Sequence, residues 1–152
     1  INPYKSLGIY STAHVVKYRE GGCDKPHLFA VAERAYRGRD IPQSVIISGE
    51  SGAGKTESTK LILQYLARDH ADKGKEEEFG LQQKILSANP LLESFGNAQT
   101  LKNDNSSRFG KFIQIYFQGT DIVKSQIQNY LLEKTRVTVQ NDGERNFHVF
   151  YQ

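Results

Sequence analysis

An α/β fold, part of a mixed β-sheet flanked by helices, is what this sequence predicts, and three observations predict it. Val45-Ile46-Ile47 is a short apolar run between polar residues, the pattern of a buried parallel strand. A glycine-rich segment and an amphipathic helical stretch follow it directly. Further along, Phe109 to Gln118 alternates apolar and polar residues, with Ile113, Ile115 and Phe117 on one face of an expected strand.

The remaining elements can be read in order. Ser11 can cap a short helix running towards Arg19, and Gly21-Gly22 ends it. Pro26 opens a second helix, with Leu28, Val31, Ala32, Ala35 and Tyr36 at helical spacing, and Gly38 stops it. The helix after the glycines runs from about Lys55 to Arg68, where the pairs Leu61/Tyr65 and Ile62/Leu66 share an apolar face. Asp72 to Glu78 is a charged run and reads as a solvated loop. A helix from Phe79 to Ala88 is expected next. Asn89-Pro90 breaks it and starts another through Phe95.

Asn97 to Arg108 is polar and has no period, so a loop is expected there. Gly119-Thr120-Asp121 is a turn signal, and Ile122 to Leu131 should pair with Phe109–Gln118 as a hairpin. Arg136 to Gln140 reads as a further strand, and Arg145 to Gln152 as a helix.

Composition excludes some classes. The 152 residues are enough for one sizeable core. Nothing approaches the run of about 20 apolar residues that a membrane helix needs, so no membrane insertion is expected. The net charge of +3 is a weak bias, and no basic cluster with interleaved aromatics points to nucleic acid. Cys23 is the one cysteine, so no internal disulfide can form, and a reduced cytoplasmic setting fits. Asn105-Ser106-Ser107 matches a glycosylation sequon and is read as a chance match. The sequence contains no methionine, so Ile1 is not a translation start and a longer parent is expected.

The chemistry begins at Gly49-Glu50-Ser51-Gly52-Ala53-Gly54-Lys55-Thr56. Strand, glycine-rich turn and helix in that order are the context a phosphate-binding loop requires. The glycines let backbone N–H groups approach phosphate, and the helix N-terminus adds partial positive charge. Lys55 would reach the β- and γ-phosphates, and Thr56 would offer its hydroxyl to Mg²⁺. The loop marks a nucleotide site without saying what the nucleotide does.

A second constellation is Asn103-Asp104-Asn105-Ser106-Ser107-Arg108-Phe109-Gly110-Lys111. Two adjacent hydroxyls and an arginine suit a γ-phosphate sensor, ordered by the phosphate and released on hydrolysis. Alone, such a segment is usually a turn with a solvated charge. Its weight comes from standing downstream of the phosphate-binding loop.

Together these segments resemble the phosphate-binding loop and switch I of myosins. Kinesins share Ser-Ser-Arg but do not typically continue Phe-Gly-Lys. Asn2-Pro3-Tyr4-Lys5, Pro26-His27-Leu28-Phe29-Ala30, Ala88 to Ala98, Tyr130-Leu131-Leu132-Glu133-Lys134 and Glu144 to Tyr151 are also similar to myosin and keep the family's order.

The resemblance implies a P-loop NTPase core within an incomplete myosin head, residues 1–152 being one part of the nucleotide-binding portion of a motor domain. It implies roles residue by residue. Asn2, Pro3, Tyr4 and Tyr10 correspond to the purine-side pocket. Gly49, Glu50, Ser51, Gly52, Ala53, Gly54, Lys55 and Thr56 cradle the phosphates. Thr56 and Ser107 correspond to Mg²⁺ ligands, and Asn103 and Ser106 to phosphate contacts, with Ser106 also near the attacking water. Arg108 corresponds to the arginine that pairs with a glutamate of switch II. Lys55, Ser106, Ser107 and Arg108 form the expected catalytic set. Asp104 stands where asparagine is often seen and should point away from the nucleotide.

Switch II, Asp-x-x-Gly-x-Glu, is not among these residues, so the chain alone is expected to turn over ATP poorly. The parent would bind ATP and ADP with Mg²⁺, act on actin filaments through regions outside this chain, carry light chains or calmodulin, and work in the cytoplasm on the cytoskeleton. Two alternatives stay open: a non-motor P-loop protein, and a remnant that binds nucleotide or actin without cycling.

Overall fold

A computed structural model describes residues 5–21, 25–67 and 87–152. Residue contacts divide the chain into two units, Ile1–Gln82 and Gln83–Gln152.

Among its described residues the first unit holds three helices: α1 (Thr12–Arg19), α2 (Leu28–Arg37) and α3 (Lys55–Ala67). Ser11 occupies the N-cap of α1, but its hydroxyl bonds His14 Nδ1 at 2.8 Å instead of a backbone N–H. The cap of α2 is His27, whose Nδ1 accepts from Phe29 N–H at 3.0 Å. Gly38 closes α2 as expected.

The core of this unit gathers one or more apolar positions from each helix. Val15 and Tyr18 come from α1, Phe29 and Ala32 from α2, and Ile62, Leu63, Tyr65 and Leu66 from α3. Phe29 packs against Tyr65 with ring centroids 4.9 Å apart. Burying one such ring stabilises by roughly 1.5–3 kcal/mol. The polar tip of Tyr65 is satisfied as well, its hydroxyl donating to Glu33 Oε2 at 2.9 Å. Helical spacing located the α3 face but missed Leu63.

Val45-Ile46-Ile47 is not a strand: residues 42–49 are irregular, and Ile46 is 89% exposed. A strand exists only when a neighbour pairs its backbone. Among the described residues both sheets are two-stranded and antiparallel, and neither includes this run. The expected mixed sheet is therefore replaced, in the described residues, by helices with small antiparallel sheets.

In the second unit residues 87–96 are helical, and the helix runs through Asn89 and Pro90 without a break. The hydrogen bond that proline removes is the one to residue 86, outside the described residues. The expected helix start at Phe79 and the charged run Asp72 to Glu78 also lie outside them. β1 (Asn97–Thr100) and β2 (Asn103–Ser107) then form an antiparallel hairpin, with Asn97 opposite Ser107 and Ala98 opposite Ser106. The expected loop over 97–108 is overturned because the backbone ladder, not side-chain period, makes this pair. Asn97 Nδ2 also donates across it to Asn105 Oδ1 at 2.9 Å.

β3 (Gly110–Gln118) and β4 (Asp121–Tyr130) form the second hairpin, closed at Gly119-Thr120, as the alternation predicted. Ile113 faces Ile127, and the register shifts between Tyr116 and Phe117. The expected strand Arg136–Gln140 is instead a 3₁₀ turn at Lys134–Val137 followed by irregular chain. Arg136 bonds carboxylates three and eight residues away, which suits a tight turn and not an extended strand. The expected C-terminal helix is reduced to one 3₁₀ turn, His148–Phe150. Phe147, just before it, is tied to Ala98 by an isolated antiparallel bridge.

Candidate functional site

The expected site residues fall in both units. Gly49 to Thr56 and Tyr10 belong to the first, and Asn103 to Arg108 to the second. Asn2, Pro3 and Tyr4 lie outside the described residues. Tyr10 is partly exposed, and its ring meets His27 at 5.1 Å and Phe29 at 5.7 Å at the start of α2.

The glycine-rich segment has the backbone a phosphate cradle needs. Gly52 (φ 79°) and Gly54 (φ 91°) both take the positive angles that side chains resist. Ala53 N–H turns back to Glu50 O at 3.2 Å. The first ladder bond of α3 runs from Ser58 N–H to Gly54 O at 2.9 Å. The N–H groups of Lys55, Thr56 and Glu57 precede that ladder, where a helix offers donors to an anion. Lys55 curls over the loop, donating from Nζ to Gly49 O at 2.5 Å and Glu50 O at 2.9 Å. Its ammonium thus stands against the carbonyls of the same turn. These are compact cationic and N–H donors, the set a polyphosphate takes.

The second group lies on β2 and just after it. Asn103 Oδ1 accepts from Asn105 N–H at 3.0 Å. The Asn105 amide is held by Glu93, Asn97 and His148, at 3.1, 2.9 and 3.0 Å. Asp104 is exposed. Ser106 is buried, 4% exposed, and its Oγ accepts from Arg108 Nη1 at 3.2 Å. Thr56 and Ser107 are half-buried hydroxyls, hard oxygen donors of the kind Mg²⁺ accepts. Among the described residues no group of three or more His, Cys, Asp or Glu is gathered for a metal.

Arg108 has a carboxylate partner in this unit that sequence reasoning did not find. Its Nε donates to Glu133 Oε2 at 2.6 Å. Arg136 donates to the same oxygen at 2.8 Å and to Glu144 Oε2 at 2.9 Å. Burial alone would push the Glu133 carboxyl up, but the hydrogen bonds from Arg108 and Arg136 outweigh it and hold it below the ordinary 4.5. Glu144 is also held low, first by its hydrogen bond from Arg136. Glu133 lies 25 residues from Arg108, and no period or motif links the two. The one sequence signal was indirect: both carboxylates sit in segments that resemble the family.

The glycine-rich loop and the hydroxyl-arginine strand are the two segments whose sequence most resembles a motor head. The family pattern described as myosin head (motor domain) matches residues 1–152, so this chain belongs to the myosin head family. It is similar to a protein named probable myosin heavy chain in Encephalitozoon cuniculi, 54% identical over all of this chain and 9% of that protein. It is 52% identical to myosin-VIIa of Drosophila melanogaster, over 99% of this chain and 7% of that one. It is 51% identical to the non-muscle myosin-2 heavy chain of Acanthamoeba castellanii, over 100% and 10%. The chain thus spans a tenth or less of the length of these relatives.

Proposed function

We propose that this chain is the ATP-binding portion of an actin-based motor, part of a P-loop NTPase core whose sheet is completed by the rest of the protein. The observation that carries this reading is the cradle at Gly49 to Thr56: two positive-φ glycines, a helix N-terminus and Lys55 folded onto one turn. Membership of the myosin head family supports a motor as the kind of NTPase.

Mg²⁺ supplies charge neutralisation at the phosphates when bound. The chain's own residues do the rest. Gly49 to Gly54 wrap the phosphates with backbone N–H groups. Lys55 exchanges its two loop carbonyls for phosphate oxygens. Thr56 and Ser107 offer hydroxyls to the metal. Asn103 and Ser106 contact the γ-phosphate, and Ser106 orients the water beside it. Asn2, Pro3, Tyr4 and Tyr10 form the purine side. Catalysis here is positioning and charge stabilisation. Loss of the γ-phosphate then changes actin affinity through regions outside these residues, with light chains or calmodulin on the parent. The setting is the cytoplasm and its cytoskeleton, with neither nucleic acid nor membrane insertion involved. Among the described residues no helix is long and apolar enough to cross a membrane.

Sedimentation of the full-length protein with actin filaments tests this reading. Binding should be tight without nucleotide and weaken by at least about tenfold with MgATP, a coupling of roughly 1.4 kcal/mol. Binding that ignores MgATP would contradict the motor. Nucleotide binding without that release would identify a non-cycling remnant.

A further inference from the structure

We propose that Glu133, clamped by the buried Arg136, is a positioning residue that holds Arg108 and, through it, aims the Ser106 hydroxyl for hydrolysis. This rests on the ATPase reading above and adds residues that the resemblance did not assign.

The chain of hydrogen bonds is continuous. Arg136 is 3% exposed and sits between two carboxylates, Glu133 and Glu144. Its Nη1 also donates to Arg145 O at 3.0 Å. A guanidinium buried this way is held in one orientation, because any other leaves a desolvated charge unpaired. It therefore fixes the Glu133 carboxylate. Glu133 Oε2 takes Arg108 Nε at 2.6 Å, and Glu133 N–H donates to Arg108 O at 3.0 Å. Arg108 is thus anchored through side chain and backbone at once. Its remaining reach goes to Ser106 Oγ.

That last hydrogen bond sets polarity. A serine oxygen that accepts from a guanidinium has its own proton turned to another direction, so the hydroxyl acts there as a donor. Releasing Arg108 would free the hydroxyl to rotate. The chain conformation supports the same arrangement. Leu131 takes φ 54°, the one positive angle at a non-glycine among the described residues. It stands between the end of β4 and Glu133, just before the backbone N–H of Glu133 meets Arg108 O. Such angles persist where surrounding structure over-determines them.

The test uses the full-length protein in five forms: wild type, Glu133→Gln, Glu133→Asp, Arg108→Met, and Glu133→Gln together with Arg108→Met. Affinity for a fluorescent ATP analogue and single-turnover hydrolysis of ATP are read on each. Glu133→Gln should leave affinity within about twofold and slow hydrolysis at least about tenfold, the pattern expected when a transition-state interaction is removed. Glu133→Asp, which keeps the charge, should recover part of that rate. In the Arg108→Met background Glu133→Gln should cost nothing further, because Glu133 acts through Arg108.

Unchanged hydrolysis in Glu133→Gln would overturn the proposal. So would an equal loss with and without Arg108, which marks a merely structural role. Failure of the wild type to bind the analogue would instead overturn the ATPase reading itself.

Discussion

His27 makes three interactions that only the neutral ring can make together. Nδ1 accepts from Phe29 N–H, Nε2 faces Ile9 O at 3.1 Å, and the ring stacks on Tyr18 at 4.8 Å. Because Nδ1 accepts, the proton belongs on Nε2, which then donates to Ile9. Burial is the largest influence and lowers its pKa, the Ile9 hydrogen bond opposes, and nearby His14 lowers it further. The folded value lies below 6.5, so protonation costs more in the folded state. The stability this ring contributes is present above 6.5 and lost as pH falls towards the folded value. Exchange protection of the Phe29 amide should therefore fall below about pH 6.5, and His27→Asn should cap α2 without that dependence. Protection that is flat from about pH 7.5 to 5.5 would contradict the cap assignment.

At the scale of elements, close packing governs how the second unit is assembled. A Cβ on Gly96 would lie 2.2 Å from the Phe109 ring, so the helix end at 96 meets the residue after Arg108 only because position 96 is bare. Gly96→Ala should cost roughly 1–3 kcal/mol through displacement of that ring. Gly38→Ala, whose Cβ meets only the flexible end of Gln43, should change the denaturation midpoint little. Equal midpoints for the two variants would contradict this packing.

Local pattern made some elements legible and left others hidden. The α2 and α3 helices and the β3–β4 hairpin followed from period, but the buried face of α2 did not: Val31 is exposed, and Phe29, off the expected spacing, is buried. Val45-Ile46-Ile47 did not, since a strand depends on partners its own residues cannot specify. Asn97 to Ser107 failed in the opposite sense. Its polar side chains hide a ladder built from backbone groups and amide hydrogen bonds. The glycine turn at Gly52 and Gly54 and the helix start at Lys55 were readable from spacing, whereas the strand expected before them is not present. The Arg108–Glu133–Arg136 network was not, because it joins residues separated by the whole β3–β4 hairpin.

For the whole molecule, the expected catalytic groups fall in two units, and the family's switch II is not among these residues. The chain alone should therefore hydrolyse ATP far more slowly than the full-length protein. Loss of a γ-phosphate donor and of a switch II partner for Arg108 would each cost on the order of 3 kcal/mol. A steady-state rate for the chain alone equal to that of the full-length protein would contradict this.

With the phosphates of ATP held at Gly49 to Thr56, Lys55 should bind the β- and γ-phosphates. Titration of a fluorescent ATP analogue into full-length protein, wild type against Lys55→Ala, measures that contact. Removing the ammonium should weaken binding by about a hundredfold or more, the scale expected for deleting a charge-assisted hydrogen bond at a phosphate site. Equal affinity in the two proteins would place the phosphates elsewhere.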